Sequence, residues 1–312
     1  MKKSIVFLAL LFLANLMVAQ SNIRLNNDWN KTYMINPGAI NSQYYLNPGS
    51  VASQYLLEFN MAARQQWVGF PGSPTTLFAS GTLYQDEYYT QFGLKVLQDK
   101  VGYTSTTDID LTYAYSTRLN LNWRLNMGMG LSFQALSYDL SQVKSATAGD
   151  PTIFTRLLNE SYINSDLGAE LVDSRWRFGI SSQNLFSLFS PSQKLFPNSN
   201  YLYAMYKNYN HDYFNLGYGV CGIQYANIMQ MEFNLTGYFK ATSAKNQFQI
   251  GLVYRTWNEA GLLFGFDLNH NLRASYSYDY NLSGISRGSF GTHELMITYK
   301  LYKSYKCKNC WY

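Results

Sequence analysis

Between Ile109 and Ala135 nearly every odd-numbered position is apolar, including Leu111, Tyr113, Tyr115, Trp123, Met127, Leu131 and Phe133, while the even positions are mostly small or polar. This is the period of a β-strand with one apolar face. The run is too long for a single strand, so it must fold back. Its apolar phase survives the fold, which requires an odd-numbered connection and predicts a turn at Asn120-Leu121-Asn122. Centring that turn on Leu121 opposes Arg118 and Arg124, and a register shifted by two residues is expected to relieve the repulsion.

Similar alternation recurs near 55–64, 75–85, 89–98, 106–119, 123–138, 162–172, 175–184, 200–209, 212–224, 228–240, 245–256, 260–268, 272–280 and 291–302. About fourteen strands, an even number, predict an all-β, transmembrane antiparallel barrel. Connections after the first, third, fifth, seventh and thirteenth strands read as long, and the even-numbered ones as tight turns. Short turns belong on the periplasmic side of such barrels, which puts both termini there. Two turns are predicted in more detail. A two-residue turn at Asp173-Ser174 would set Glu170 opposite Arg177, and a three-residue loop around His270 sets Asp267 opposite Arg273.

Composition strengthens this picture. Mean hydropathy is −0.22, so beyond the N-terminus the chain is not a helical membrane protein. Aromatic residues make up 17% and charged residues 14%, which suits lipid-facing strands with Tyr and Trp girdles. A large soluble β-sandwich is the alternative. Residues 1–19, with Lys2 and Lys3 ahead of an apolar run ending at Ala19, read as a cleaved signal peptide. The expected order is then an N-terminal periplasmic segment over 20–54, the barrel over 55–302 and a Cys-containing periplasmic tail over 303–312. Export removes two cations from a formal balance of +5, leaving too little dispersed charge to favour nucleic acid. Cys307 and Cys310 are expected to form a tail disulfide rather than a metal site, since no second C-x-x-C pair exists.

Ionisable residues fall on the inward phase: Glu58, Asp110, Arg118, Arg124, Glu170, Arg177, Glu232, Lys240, Asp267, Arg273 and Asp279. Mixed signs at short range predict a lumen crossed by ion pairs, with a weakly selective water-filled channel as the competing reading. Catalytic constellations are thin. His293-Glu294 opens H-E-x-x-H, but Ile297 stands where the second zinc ligand belongs, and no G-x-S-x-G elbow occurs. A hydrolase at the barrel rim would have to use His211, His270 or His293. No enzymatic activity, cofactor or metal is expected.

Several irregular words remain. Arg64, Gln66, Trp67, Gly69, Gly72, Pro74 and Thr76 lie in a Gly- and Pro-rich stretch after the first strand. Tyr254-Arg255, then Tyr276-Ser277-Tyr278-Asp279, then Gly291-Thr292-His293-Glu294 follow near the other end, and the first and last strands of a barrel are neighbours. With Asn36-Pro37 and Asn47-Pro48, these words in this order resemble the PorP/SprF family of type IX secretion system outer-membrane proteins over essentially the whole mature chain. Which Asn-Pro copy corresponds to the family's segment is left open by the sequence. The resemblance implies a barrel in the outer membrane that supports export of cargo or holds adhesins at the surface. Its implied partners are a periplasmic ring, peptidoglycan-binding proteins and the cargo itself. Arg64, Gln66, Trp67, Gly69, Gly72, Pro74, Thr76, Tyr254, Arg255, Tyr276, Tyr278, Asp279, His293 and Glu294 are then a candidate partner-docking or lumen-closing site. A purely structural role is equally open, with Trp67 packed under its loop and Arg64, Asp279 and Glu294 sealing the barrel. A general or solute-specific porin is the alternative function.

Overall fold

The computed structural model describes residues 44–51, 55–139, 159–189, 196–208, 213–225, 228–240, 247–256, 259–282 and 284–302. Fourteen strands form one closed antiparallel barrel in which each pairs with its sequence neighbours and the last pairs with the first. They are β1 Tyr55–Gln65, β2 Thr75–Gln85, β3 Thr90–Val101, β4 Thr104–Arg118, β5 Arg124–Tyr138, β6 Glu160–Val172 and β7 Trp176–Gln183. β8 Ser199–Lys207, β9 Phe214–Tyr225, β10 Ile228–Lys240, β11 Gln247–Arg255, β12 Glu259–Asp267, β13 Leu272–Asn281 and β14 Thr292–Tyr302 complete it. The predicted strands are recovered, and the soluble sandwich is not.

Alternation places large apolar side chains such as Phe59, Leu111, Met129, Ile180, Phe264 and Leu295 on the outer surface, where they are exposed. Polar and charged partners face the lumen and are buried. A solvent of lipid explains this inversion, because the strands pair backbone to backbone around the closed sheet while the outer side chains meet hydrocarbon. Trp176 stacks on Phe178 at 5.5 Å and leans on Tyr206 at 4.8 Å, and Tyr206 continues to Tyr218 at 5.0 Å. These rings form part of an aromatic girdle near the short-turn end.

The seam between β1 and β14 is stapled on its lumenal side. Glu58 opposes Lys300, with the charged groups 3.6 Å apart, and Arg64 opposes Glu294 at 3.0 Å. Between them Thr298 donates to Asn60 Oδ1 at 2.8 Å, and Ala62 faces Met296. A slip of two residues would dissolve all of these pairs at once, so side-chain chemistry fixes the register at which the chain closes on itself.

Three local expectations change. The third connection is not long: only residues 102–103 separate β3 from β4, with Gly102 at φ 57 making the turn. The β4–β5 hairpin keeps Arg118 directly opposite Arg124, without a shift. Repulsion is relieved by side-chain direction instead, since Arg118 lies exposed while Arg124 donates to the Tyr84 hydroxyl at 3.1 Å. In the β6–β7 hairpin, Val172 pairs with Arg177 and Glu170 with Gly179, around a longer loop closed by Asp173 N–H on Trp176 O at 2.9 Å. The even spacing still flips the phase, and Glu170 reaches Arg177 diagonally at 3.5 Å. Asp267 opposes Arg273 as expected, at 2.6 Å.

The largest departure concerns the N-terminal segment. Residues 44–51, expected outside the barrel with the rest of 20–54, lie inside it, and every one of them is buried. The signal-peptide stretch, the side chain of Lys240, His211 and the Cys307/Cys310 pair lie outside what the structure describes.

Candidate functional site

The lumen is filled in two ways. Along β3 to β8 it is filled by backbone, namely the turn Tyr44-Tyr45-Leu46-Asn47-Pro48-Gly49-Ser50-Val51. Asn47 organises it: its Oδ1 accepts the Gly49 N–H at 2.8 Å, and its carbonyl accepts Ser50 N–H at 2.9 Å. Its Nδ2 donates to the carbonyls of Ala169 at 2.9 Å and Ile180 at 3.3 Å, and lies 3.3 Å from the Tyr203 hydroxyl. An Asn side chain that mimics a backbone turn while pairing with the wall satisfies the polar groups of a buried loop. The wall answers in kind. Gln183 donates to Tyr45 O at 2.9 Å, Ser181 donates to Leu46 O, Gln91 donates to Ser50 O at 3.0 Å and Arg177 donates to Ser50 Oγ at 3.2 Å. The Tyr44 hydroxyl bonds to Thr112 Oγ1, and Lys95 Nζ lies 5.7 Å above its ring.

Room for this turn comes from inward-facing glycines. A Cβ at Gly93 would lie 2.0 Å from the Tyr44 hydroxyl, at Gly128 2.3 Å from the Pro48 carbonyl and at Gly168 1.9 Å from Asn47 Oδ1. Gly49 returns the requirement, since its own Cβ would fall 2.6 Å from the Gly168 carbonyl. These glycines serve close backbone approach rather than flexibility.

On the opposite wall, from β10 round to β1, side chains bridge the space. Arg64 donates to Glu294 and to Asp279, each at 3.0 Å. Arg255 binds Glu232 at 2.7 Å and Asp279 at 3.2 Å, and lies 3.7 Å from Glu259. Asp279 thus joins the two guanidinium groups. The pairings follow from register, because Arg64 opposes Glu294 while Arg255 opposes both Glu232 and Glu259. Charges this deeply buried persist only when paired and hydrogen-bonded. A further knot ties Lys95 to Asp110 at 2.9 Å, with Asp166 at 3.9 Å. Beside it, Lys95, Asp110, Asp166, Phe78, Tyr45 and Tyr201 help line a cavity of about 30 Å³, space for about two waters.

At the loop rim, the loop after β1 is tied to residues 290–292, where β14 begins. Val68 N–H bonds Gly291 O at 2.9 Å and Phe290 N–H bonds Val68 O at 2.8 Å. Gly69, Gly72 and Gly291 take φ values of 102, 72 and 85, as a bent Gly- and Pro-rich loop requires. Trp67 takes φ 51, which strains a side chain-bearing residue, and its indole N–H is buried without a hydrogen-bond partner. Gln66 is buried, and its N–H bonds Pro74 O at 2.9 Å. Thr76 donates to Asp99 at 2.5 Å.

The candidate residues therefore do not form one site. Strand phase divides them: Arg64, Thr76, Arg255, Asp279 and Glu294 face the lumen. Tyr254, Tyr276, Tyr278 and His293 face outward, where His293 Nδ1 meets the Tyr276 hydroxyl at 2.6 Å and the Tyr278 hydroxyl donates to Phe290 O at 3.2 Å. Neighbouring positions in Tyr278-Asp279 and His293-Glu294 are on opposite sides of the wall. Sequence reasoning missed the 44–51 turn and the lumenal Lys95, Asp166, Glu259 and Lys300. The signal available was three glycines, Gly93, Gly128 and Gly168, on the inward phase of nearby strands.

A closed barrel with an apolar belt, girdles and a charged, filled lumen defines an outer-membrane β-barrel protein. The sequence matches the family of type IX secretion system membrane proteins PorP/SprF over residues 39–299, and the chain belongs to that family. No curated protein matches the chain. Among solved structures it is similar to the CymD monoaromatic hydrocarbon channel, at 11% identity and TM-score 0.52, covering 86% of this chain and 95% of that one. It is also similar to the Pseudomonas putida toluene transporter TodX, at 8% identity and TM-score 0.50, covering 82% and 93%. At such identities the likeness is one of fold. The matched span takes in Asn47-Pro48-Gly49 and leaves out Asn36-Pro37. Family and fold point to a non-enzymatic component of the outer membrane. Among the described residues no group of His, Cys, Asp and Glu is placed to hold a metal ion.

Proposed function

We propose that this chain supports type IX export, or surface attachment of exported proteins, as a closed platform that binds protein partners rather than as a conduit. The observation that carries this reading is the filled lumen: the buried 44–51 turn occupies it along β3 to β8, and the buried Arg64/Arg255 network bridges it on the opposite side. Passage of a folded cargo would require the turn and the charged network to move. In this reading the short turns and both termini face the periplasm, where ring and peptidoglycan-binding proteins are the partners. The tied loops face outward, and the strained Trp67 loop is the docking element for cargo or adhesin.

Quantitative proteomics of surface, medium and periplasm in a deletion strain against its complemented parent tests this. Accumulation of many cargo proteins in the periplasm supports a core role, and accumulation of one or two supports a dedicated adhesin partner. If none move, and the purified protein conducts steadily in planar bilayers, the porin function replaces this one. Trp67→Ala sharpens the docking element: a heat-modifiable, inserted protein that no longer supports export is expected, whereas failed assembly would make Trp67 purely structural.

A further inference from the structure

The turn inside the lumen has a near-copy upstream. Tyr44-Tyr45-Leu46-Asn47-Pro48-Gly49-Ser50-Val51 is preceded, eleven residues earlier, by Tyr33-Met34-Ile35-Asn36-Pro37-Gly38-Ala39-Ile40. The two share Tyr, Asn, Pro and Gly at the same places, and the other four positions pair Tyr45 with Met34, Leu46 with Ile35, Ser50 with Ala39 and Val51 with Ile40, so that the upstream word lacks two hydroxyls and one ring. We propose that the lumenal groove along β3 to β8 is a peptide-binding site for this eight-residue word, and that residues 33–40 are its second ligand. The chain can then re-seat with the upstream copy in the groove.

The groove's demands, taken position by position, are met by the upstream word. The first position needs a phenol, for Thr112 Oγ1 and for the Lys95 ammonium above the ring; Tyr33 supplies it. The second packs edge-on against Phe78 at 5.2 Å, beside the small cavity, where the flexible thioether of Met34 fits an aromatic face. The third is wholly buried and aliphatic, and Ile35 matches Leu46. The fourth must be Asn, to close the turn and reach Ala169 O and Ile180 O. The fifth and sixth lie against Gly128 and Gly168 with no space for a Cβ on the glycine, and Pro37-Gly38 satisfies both. The last packs beside Tyr84 and Ala114, where Ile40 replaces Val51. The main-chain contacts from Gln183, Ser181 and Gln91 do not depend on the side chain seated there.

Two positions differ in chemistry: Met34 lacks the Tyr45 phenol, and Ala39 lacks the Ser50 hydroxyl. Ser50 accepts from Arg177, and Ala39 cannot, although Arg177 keeps Glu170. Losing a hydrogen bond to a charged group makes the upstream copy the weaker ligand by roughly tenfold or more. The resident copy is also favoured by its short tether to β1. Re-seating would release up to roughly 35–40 Å of extra chain between the groove and β1, at the short-turn end where β1 begins. The groove would then act as a two-position clamp on the N-terminal segment, and this holds whether or not the secretion role does.

The test places a photo-cross-linker against the groove with Phe78→p-azidophenylalanine in the full-length protein in its outer membrane, followed by mapping of the cross-linked peptide. In the otherwise unchanged chain the cross-link is expected at residues 44–46. Gly49→Val, whose side chain collides with Gly168, is expected to move most of it to residues 33–36, and adding Gly38→Val is expected to abolish both. A barrel that stays heat-modifiable while the Gly49→Val cross-link remains at 44–46, scatters or vanishes overturns the proposal. A second variant does not depend on unseating anything. Tyr45→Met with Leu46→Ile, Ser50→Ala and Val51→Ile writes the upstream word into the resident position. It is expected to assemble and keep the cross-link at 44–46, and loss of the cross-link or of assembly means the groove does not accept that word.

Discussion

The two halves of this lumen face the same problem and resolve it differently. Along β3 to β8 the wall is depleted of side chain at Gly93, Gly128 and Gly168, and a backbone turn takes the space. From β10 round to β1 the wall carries long charged side chains, and Arg64, Arg255 and Asp279 meet in the middle. The first half is a socket whose filling could in principle leave without breaking the barrel. The second is a brace built from the strands themselves, so removing it uncovers charge in the wall. Replaceable and permanent filling thus share one barrel, separated by whether the polar partners are contributed by the sheet or by a tethered segment.

The largest effect that would break this contrast is on the brace. Arg255→Ala leaves Glu232 and Glu259 without their guanidinium and Asp279 with Arg64 alone, and should cost about 3–5 kcal/mol. Denaturant midpoints read by the gel-mobility difference between folded and unfolded barrel check it. A loss below about 1 kcal/mol would show that the network is replaceable too. Next comes Gly128→Val, which puts a branched side chain where the Pro48 carbonyl lies. It should expel the turn, opening steady conductance in planar bilayers and exposing residues 44–51 to protease, while costing the barrel about 1–3 kcal/mol.

Asn47→Ala is a milder probe of the same socket. It removes the donor to Ala169 and Ile180 and the acceptor for Gly49, leaving buried backbone groups short of partners. Its expected cost of about 1–3 kcal/mol falls on seating of the turn, so proteolysis at 44–51 should quicken with little change in the barrel's own unfolding midpoint. Smallest is Tyr276→Phe on the outer face, where only the hydroxyl contact to His293 is lost. About 0.5–1.5 kcal/mol or less is expected in the same unfolding assay, with no effect on conductance or on cleavage at 44–51.

Much of this architecture was legible because a strand's period of two writes its two environments directly into the chain. The fourteen strands, the outward apolar face and the opposition of Asp267 to Arg273 follow from phase alone. Errors arose where phase is silent. Phase fixes whether a hairpin loop is odd or even but not its length or centre, so the sequence sets Glu170 two residues from its true partner Gly179 while giving the right face. Phase also cannot tell a tight turn from a long one at Gly102, where a left-handed glycine does the work. The sequence groups the candidate residues into one cluster because each word is contiguous and the closing strands are neighbours. Adjacent residues in a strand point to opposite sides of the wall, so Asp279 and Glu294 reached Arg64 while Tyr278 and His293 went to the lipid side.

Taken alone, the sequence determined the class of fold, the number of strands, the lipid-facing and lumen-facing sets, and the family. These depend on local alternation and on short words, which survive without knowing what touches what. Only the tertiary structure decided that Asn47-Pro48-Gly49 lies inside the barrel and which carboxylate each arginine meets. It also decided that glycines on three strands exist to admit a fourth piece of chain. Several of those facts join residues more than a hundred positions apart, as Asn47 to Ala169 and Arg64 to Glu294. They are set by barrel closure and stagger, which no local pattern encodes.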